Sequence, residues 1–212
     1  MPGDLVSSKY PLSNPFLALL GQTSNVVQSN LPARSNAEPG FGWGNYTDGA
    51  LAGSGILVAV PVPVDLGVVI SKVSILVGAT GASTPTHQFA ALYAGTGSAP
   101  ALLGQSADAT TTAIPAASPG TSSGLYTFTL STPQLITAAN APNGFIYAGV
   151  SITASTVPTA VSMSTPNGIN YQWCTGGPLY QSMTAGSALG ATAAATIASP
   201  SQKAVAPVII LT

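Results

Sequence analysis

The sequence predicts an all-β protein: a two-sheet antiparallel β-sandwich, of jelly-roll or immunoglobulin-like type, behind an extended N-terminal arm. Two observations carry this prediction. Val68–Asp108 reads as three consecutive strands separated by turn clusters. With these, the chain offers about seven to nine short strands in all, separated by Gly, Pro and Asn turns, a rhythm that suits a sandwich. The domain division that follows is an arm over residues 1–55 and a sandwich over residues 56–212.

Residues 1–55 show no sustained periodicity and are rich in Pro, Asn, Ser and Gly, the composition of an extended segment. They contain one short helical anchor. Asn14 suits the cap, Pro15 the first helical position and Gly21 the C-terminal stop, with Phe16–Leu20 between them. A helix of this length is unstable alone, so it forms only where Phe16, Leu17 and Leu20 dock, on its own domain or on a neighbouring subunit. Full burial contributes about 1.5 to 3 kcal/mol per side chain before ordering costs. The Gly-punctuated loop Phe41–Gly55 holds Trp43 and Tyr46, which either plug the base of the sandwich or present rings for stacking on sugar.

Ile56–Val64 opens the sandwich, and Pro61 and Pro63 predict an edge strand because proline donates no ladder hydrogen bond. In the next strand, Val69, Val73, Ile75 and Val77 face inward, with Lys72 and Ser74 opposite. His87, Phe89 and Tyr93 then alternate with Gln88, Ala90 and Leu92, and Leu102–Ser106 forms a short third strand ending at Asp108. Residues 109–124 carry no strong pattern and read as a long loop or crossover. Leu125–Leu130 alternates clearly; Phe145–Thr153 follows the Pro142-Asn143-Gly144 turn with Ile146, Ala148, Val150 and Ile152 inward. Val157–Ser164 is a weaker strand, and Asn170–Gly177 another short one. Ala185–Ile197 is ambiguous between loop and strand, because Ala favours helix while the interspersed Gly and Thr do not. Val205–Leu211 closes the domain as a buried strand expected to pair near the first.

Charged residues make up 4% of the chain against a norm of about 25%, and the net charge is −1. That leaves no electrostatic footprint for nucleic acid or an anionic membrane. The mean hydropathy of +0.42 reflects Ala and Val in strands, since no uninterrupted apolar run reaches membrane-spanning length. No signal peptide is read at the N-terminus. Synthesis in the cytoplasm is therefore expected. The single cysteine, Cys174, reads as a small buried hydrophobe. A surface of Ser, Thr, Asn, Gln, Gly and Ala lacks the charge that keeps monomers apart, which suits contact with other subunits.

The catalytic inventory is thin. His87 is the one imidazole, and its place beside Phe89 and Tyr93 suits a hydrogen-bonded core or interface histidine. Gly120–Gly124 matches G-x-S-x-G, but it leads into a strand, whereas a nucleophile elbow joins strand to helix. Asp4, Glu38, Asp48, Asp65 and Asp108 are scattered singly, so neither a metal site nor a cofactor is expected. The reading is a non-enzymatic protein.

Ile56–Val64, Val77-Gly78, Ser83–His87, Ala91–Tyr93 and Leu102–Asp108 together resemble a β domain of virion structural proteins from tailed bacteriophages, especially those of actinobacteria. The resemblance spans residues 56–164 and brings no active-site residues with it. It implies a virion location, either as a capsid decoration or accessory (minor capsid) head protein, or as a minor tail protein. In the first case, Phe16, Leu17 and Leu20 anchor the arm to the major capsid protein or another virion protein, and the chain is a homo-oligomer such as a trimer. In the second, the sandwich is a receptor- or carbohydrate-binding head whose stacking surface is Trp43, Tyr46, Tyr171 and Trp173, with a host-surface glycan as ligand.

Overall fold

The computed structural model describes residues 34–35, 46–51, 53–95, 99–117, 124–164, 182–184, 190–197, 201–203 and 205–212. The chain divides into Met1–Leu31 and Pro32–Thr212, and every described residue belongs to the second unit. All regular structure among the described residues is β. No helix there is long and apolar enough to cross a membrane.

The strands, in chain order, are β1 (Arg34–Ser35), β2 (Tyr46–Ala50), β3 (Val58–Pro63), β4 (Val69–Leu76), β5 (His87–Tyr93), β6 (Leu102–Gln105), β7 (Leu125–Leu135), β8 (Phe145–Thr153), β9 (Thr159–Ser164), β10 (Ser182–Thr184), β11 (Ser201–Lys203), β12 (Val205–Pro207) and β13 (Ile209–Leu211). They form antiparallel sheets in the orders β11-β10-β3-β8-β5-β6, β1-β13-β4-β7 and β12-β9-β2. The two smaller sheets meet where Val77, just past β4, bridges Ala160 of β9. The six- and four-stranded sheets meet at a Ser106–Leu130 bridge.

The main core lies between the six-stranded sheet and the other two. Val60, Val62, Ala90, Leu92, Ile146, Ala148, Val150 and Ile152 enter from one side; Ile70, Val73, Ile75, Phe128, Leu130, Ala160, Ile209 and Leu211 enter from the other. Within β3, β5, β7, β8 and β13 these are period-2 positions, so alternation assigns them to this layer; in β4, Ile70 and Val73 share the face across a bulge. The opposite face of the six-stranded sheet is buried as well. Leu57, Ala59, Phe89, Ala91, Tyr93, Phe145 and Tyr147 form a second apolar layer with Ala193 and Ile197. At its centre, Gly149 faces Ala59 on one side and Ala91 on the other. A Cβ there would lie 2.8 Å from Val58 O and 2.9 Å from Ala59 Cβ, so the close approach requires glycine.

Several expectations are corrected in detail. Val69 is exposed and Ile70 takes its inward place, because a bulge between Ile70 and Lys72 resets the alternation by one residue. β3 is an interior strand, between β10 and β8, not an edge; among the described residues its proline half is paired on the β8 side. Val64 N–H donates to Gly144 O; by alternation Pro61 and Pro63 turn their nitrogens the other way, toward the β10 side, where the described pairs are Met183–Ala59 and Thr184–Val58. β7 continues to Leu135, through Pro133. Val205–Leu211 splits at Val208 into two strands of different sheets, and neither pairs with β3. Residues 190–197 form no strand but border β6 along its free edge: Leu102 N–H donates to Ala195 O and Ile197 N–H to Pro100 O. Within the stretch expected as an arm, Arg34–Ser35 and Tyr46–Ala50 pair into sheets, with β13 and β9 respectively.

Candidate functional site

The densest polar constellation among the described residues lies where β5 begins, β8 ends and the chain leaves β6. His87 pairs with Thr153 in the ladder, and its Nδ1 lies 2.7 Å from Asp108 Oδ2. The other carboxylate oxygen, Oδ1, accepts the Gln88 backbone N–H at 2.9 Å. Asp108 therefore orients the imidazole while itself held by the strand that carries it. His87 is 38% exposed by side chain and Asp108 17%, so the ring's outer edge meets solvent.

Gln88, beside His87, is fully buried. It lies on the same face as Ala90 and Leu92, where an amide needs internal partners. Its Nε2 donates to Ala109 O at 3.0 Å and to Thr112 O, and its backbone carbonyl accepts Ala109 N–H. These bonds fasten the connection after β6 to the sheet, and Ile114, inserted into the main core, fastens it again. Gln88 Oε1 has no partner. The same holds for Tyr93 Oη, at the far end of β5; burial without a partner pushes the Tyr93 phenol up to about 12.

Alongside runs a set of hydroxyls. Thr84 has φ +43°, a sparsely populated conformation for a β-branched residue. It is held by an Oγ1–Ser155 Oγ contact of 2.5 Å, while Ser155 Oγ donates to Ser83 O and Ser83 N–H to Thr156 O. Thr86 Oγ1 donates to Thr153 O. A carboxylate orienting an imidazole is half of a hydrolytic triad. Here the hydroxyls named bond to one another and to backbone carbonyls instead, and the arrangement fixes loops. Among the described residues no three His, Cys, Asp or Glu side chains cluster as metal ligands.

Phe16, Leu17, Leu20, Trp43, Tyr171, Trp173 and Cys174 lie outside the described residues, as do the first four residues of the Gly120–Gly124 motif. Tyr46 opens β2 opposite Met163. Gly124 adjoins β7, and its carbonyl accepts Val77 N–H. The structure thus brings together His87 and Asp108, read separately in the sequence, and adds Gln88, whose signal was a polar side chain on the Ala90–Leu92 face.

Another surface stands apart from this polar end. Leu66, Val69 and Leu135 are 57%, 49% and 52% exposed. Val69 and Leu135 are cross-strand partners, and Leu66 sits in the adjoining turn, where Gly67 N–H donates to Ile136 O. No family model matches the chain, and comparison with curated proteins and with solved structures returns no match.

Proposed function

We propose that this chain is a non-enzymatic structural protein of a tailed-bacteriophage virion: a capsid decoration or accessory head protein, attached through its N-terminal arm, with the major capsid protein or another virion protein as partner. The observation that carries the reading is the strand order. Taking β4 and β9 as neighbours through the Val77–Ala160 bridge, eight successive strands fall into the layers β2-β9-β4-β7 and β3-β8-β5-β6. The chain changes layer at every step from β2 to β9 except the β5–β6 hairpin. We read this as a jelly roll, in preference to an immunoglobulin-like sandwich, and jelly rolls are an architecture of viral capsid domains. Fold-level analogy of this kind gains weight from the 4% charge content, which suits a subunit surrounded by others.

Jelly rolls also build lectins, which supports a second reading: a minor tail protein whose sandwich binds a receptor or carbohydrate. Comparing the protein content of purified tail-less heads with that of isolated tails separates the two. Decoration predicts copies on the order of hundreds on heads, as symmetry repeats the site. A few copies confined to tails would overturn it in favour of the second reading. Attachment through the arm is tested by deleting Met1–Leu31, a cut that leaves β1 and β2 in their sheets. The truncated protein is expected to fold and to lose binding to heads; retained binding would refute the arm as the anchor.

A further inference from the structure

We propose that residues 190–197 are an edge guard: a strap that occupies the outer edge of β6 and, while docked, keeps two copies of the chain from joining their six-stranded sheets there. β6 ends its sheet, and Leu102–Gln105 carries none of the lysines or prolines that blunt an exposed edge. Its outer side is filled from two directions instead. At the C-terminal end Ser106 bridges Leu130 of β7, and Gln134 lies over Gly104, where a Cβ would stand 2.7 Å from its Nε2. At the N-terminal end Ala101 bridges Thr196, with Leu102 N–H donating to Ala195 O and Ile197 N–H to Pro100 O. Gln105 Oε1 accepts the Ala193 N–H at 2.8 Å and pins the strap a third time.

Two observations set the strap apart from an ordinary connection. β10 and β11 pair with each other directly, yet residues 185–200 separate them, where hairpin loops take about two to five residues. The strap also docks through few groups: the three hydrogen bonds just named and, among the described residues, the buried side chains of Ala193 and Ile197, which join the outer apolar layer. Undocking bares the Leu102 N–H and the Pro100 carbonyl together with part of that layer, the combination that templates strand addition. The partner that fits is a second β6. Two copies of one edge, set antiparallel about a two-fold axis, complement each other in hydrogen bonds, and β6 has no charged residue to repel its like. The guard rests on the sheet alone and not on the virion reading.

The test fastens and loosens the strap in the full chain, with Cys174→Ser as background. Ala101 and Thr196 are both exposed and form a non-hydrogen-bonded antiparallel pair. Such pairs stand about 4.5 Å apart between Cα atoms, within disulfide range, so A101C/T196C locks the strap on oxidation. Gln105→Ala removes one hydrogen bond and should raise the open fraction about two- to tenfold. Ile197→Gly removes the larger buried anchor and should raise it about a hundredfold. Exchange of the Leu102 amide reads the opening, and circular dichroism establishes that each variant is folded. Both copies must open to pair, so the apparent dimer dissociation constant falls as the square of the open fraction, read by sedimentation velocity against the oxidised lock as baseline. Association is expected to rise from the lock through Q105A to I197G, and to return to baseline when either substitution is combined with the oxidised lock. Faster Leu102 exchange without added association overturns the guard. Leu102 exchange unchanged in both variants overturns the strap's hold on β6, and added association that survives the lock overturns β6 as the place of contact.

Discussion

The six-stranded sheet and the β4–β7 pair are built from similar residues but differ in how many faces are buried. β8 is buried on both faces along almost its whole length, and β5 nearly so. β7, by contrast, alternates exposed Thr127 and Thr129 with buried Phe128 and Leu130. The difference lies in what covers the second face. A sheet buried on both faces reads as a continuous apolar run, and a half-buried one as strict alternation. The sheet covered on both faces is where stability concentrates, and the outer face of β4–β7 leaves Thr127 and Thr129 in solvent.

Substitutions sharpen this contrast in descending order. Tyr147 is 1% exposed and packs edge-on against Phe145 at 5.3 Å between ring centroids. Tyr147→Ala should cost about 3–5 kcal/mol, read as a shift in urea midpoint at constant slope. Gly149→Ala places a methyl against the neighbouring strand backbone and should cost about 1–3 kcal/mol; a loss below that range would mean the strands separate easily. Gln88→Ala strands the Ala109 and Thr112 carbonyls and should cost about 1–3 kcal/mol, with hydrogen exchange speeding up first in residues 107–117. Thr129→Ala on the open face should stay within about 0.5 kcal/mol. Equal sensitivity at Thr129 and Gly149 would erase the distinction between the two regions.

Alkali probes the covered sheet in another way. An unfolded tyrosine ionises near pH 10, whereas burial holds Tyr93 protonated to about 12. Above pH 10 the unfolded state binds fewer protons at this site than the folded state, so stability falls as pH rises. The loss begins near pH 10 and is complete near 12. Tyr93→Phe removes this component and also relieves the unpartnered hydroxyl. The wild-type minus variant difference in unfolding free energy should therefore be flat below pH 9 and decline above 10.

Much of this division was readable before folding. β8 has the predicted boundaries and inward set, since an apolar run behind a Pro-Asn-Gly turn leaves little choice. What escaped were features set by partners distant in sequence. The Val69 reversal depends on β7 residues some sixty positions on, and Arg34–Ser35 is a strand only because Leu211 and Ile210 lie opposite. Two residues carry no periodicity to read. The polar end was half legible: His87 was placed on the correct face, while its bond to Asp108 requires the β5–β6 hairpin to return the chain. The residues expected to anchor or stack, apart from Tyr46, fall outside the described segments.

Residues 201–212 add a strand to each of the three sheets in turn, β11 to the first, β12 to the next and β13 between β1 and β4. A nascent chain leaving the ribosome therefore cannot complete any of these sheets until residues 201–212 emerge. Until then β4 lacks a neighbour, and Val73 and Ile75 have no Leu211 or Ile209 opposite. Closure joins positions as far apart as Arg34 and Leu211, a high-contact-order step that is intrinsically slow. During that interval open apolar edges face other chains made nearby. With charged residues at 4% of the chain there is little repulsion to keep such edges apart, so synthesis is the hazardous period, when a chaperone or a low expression temperature has most effect on yield.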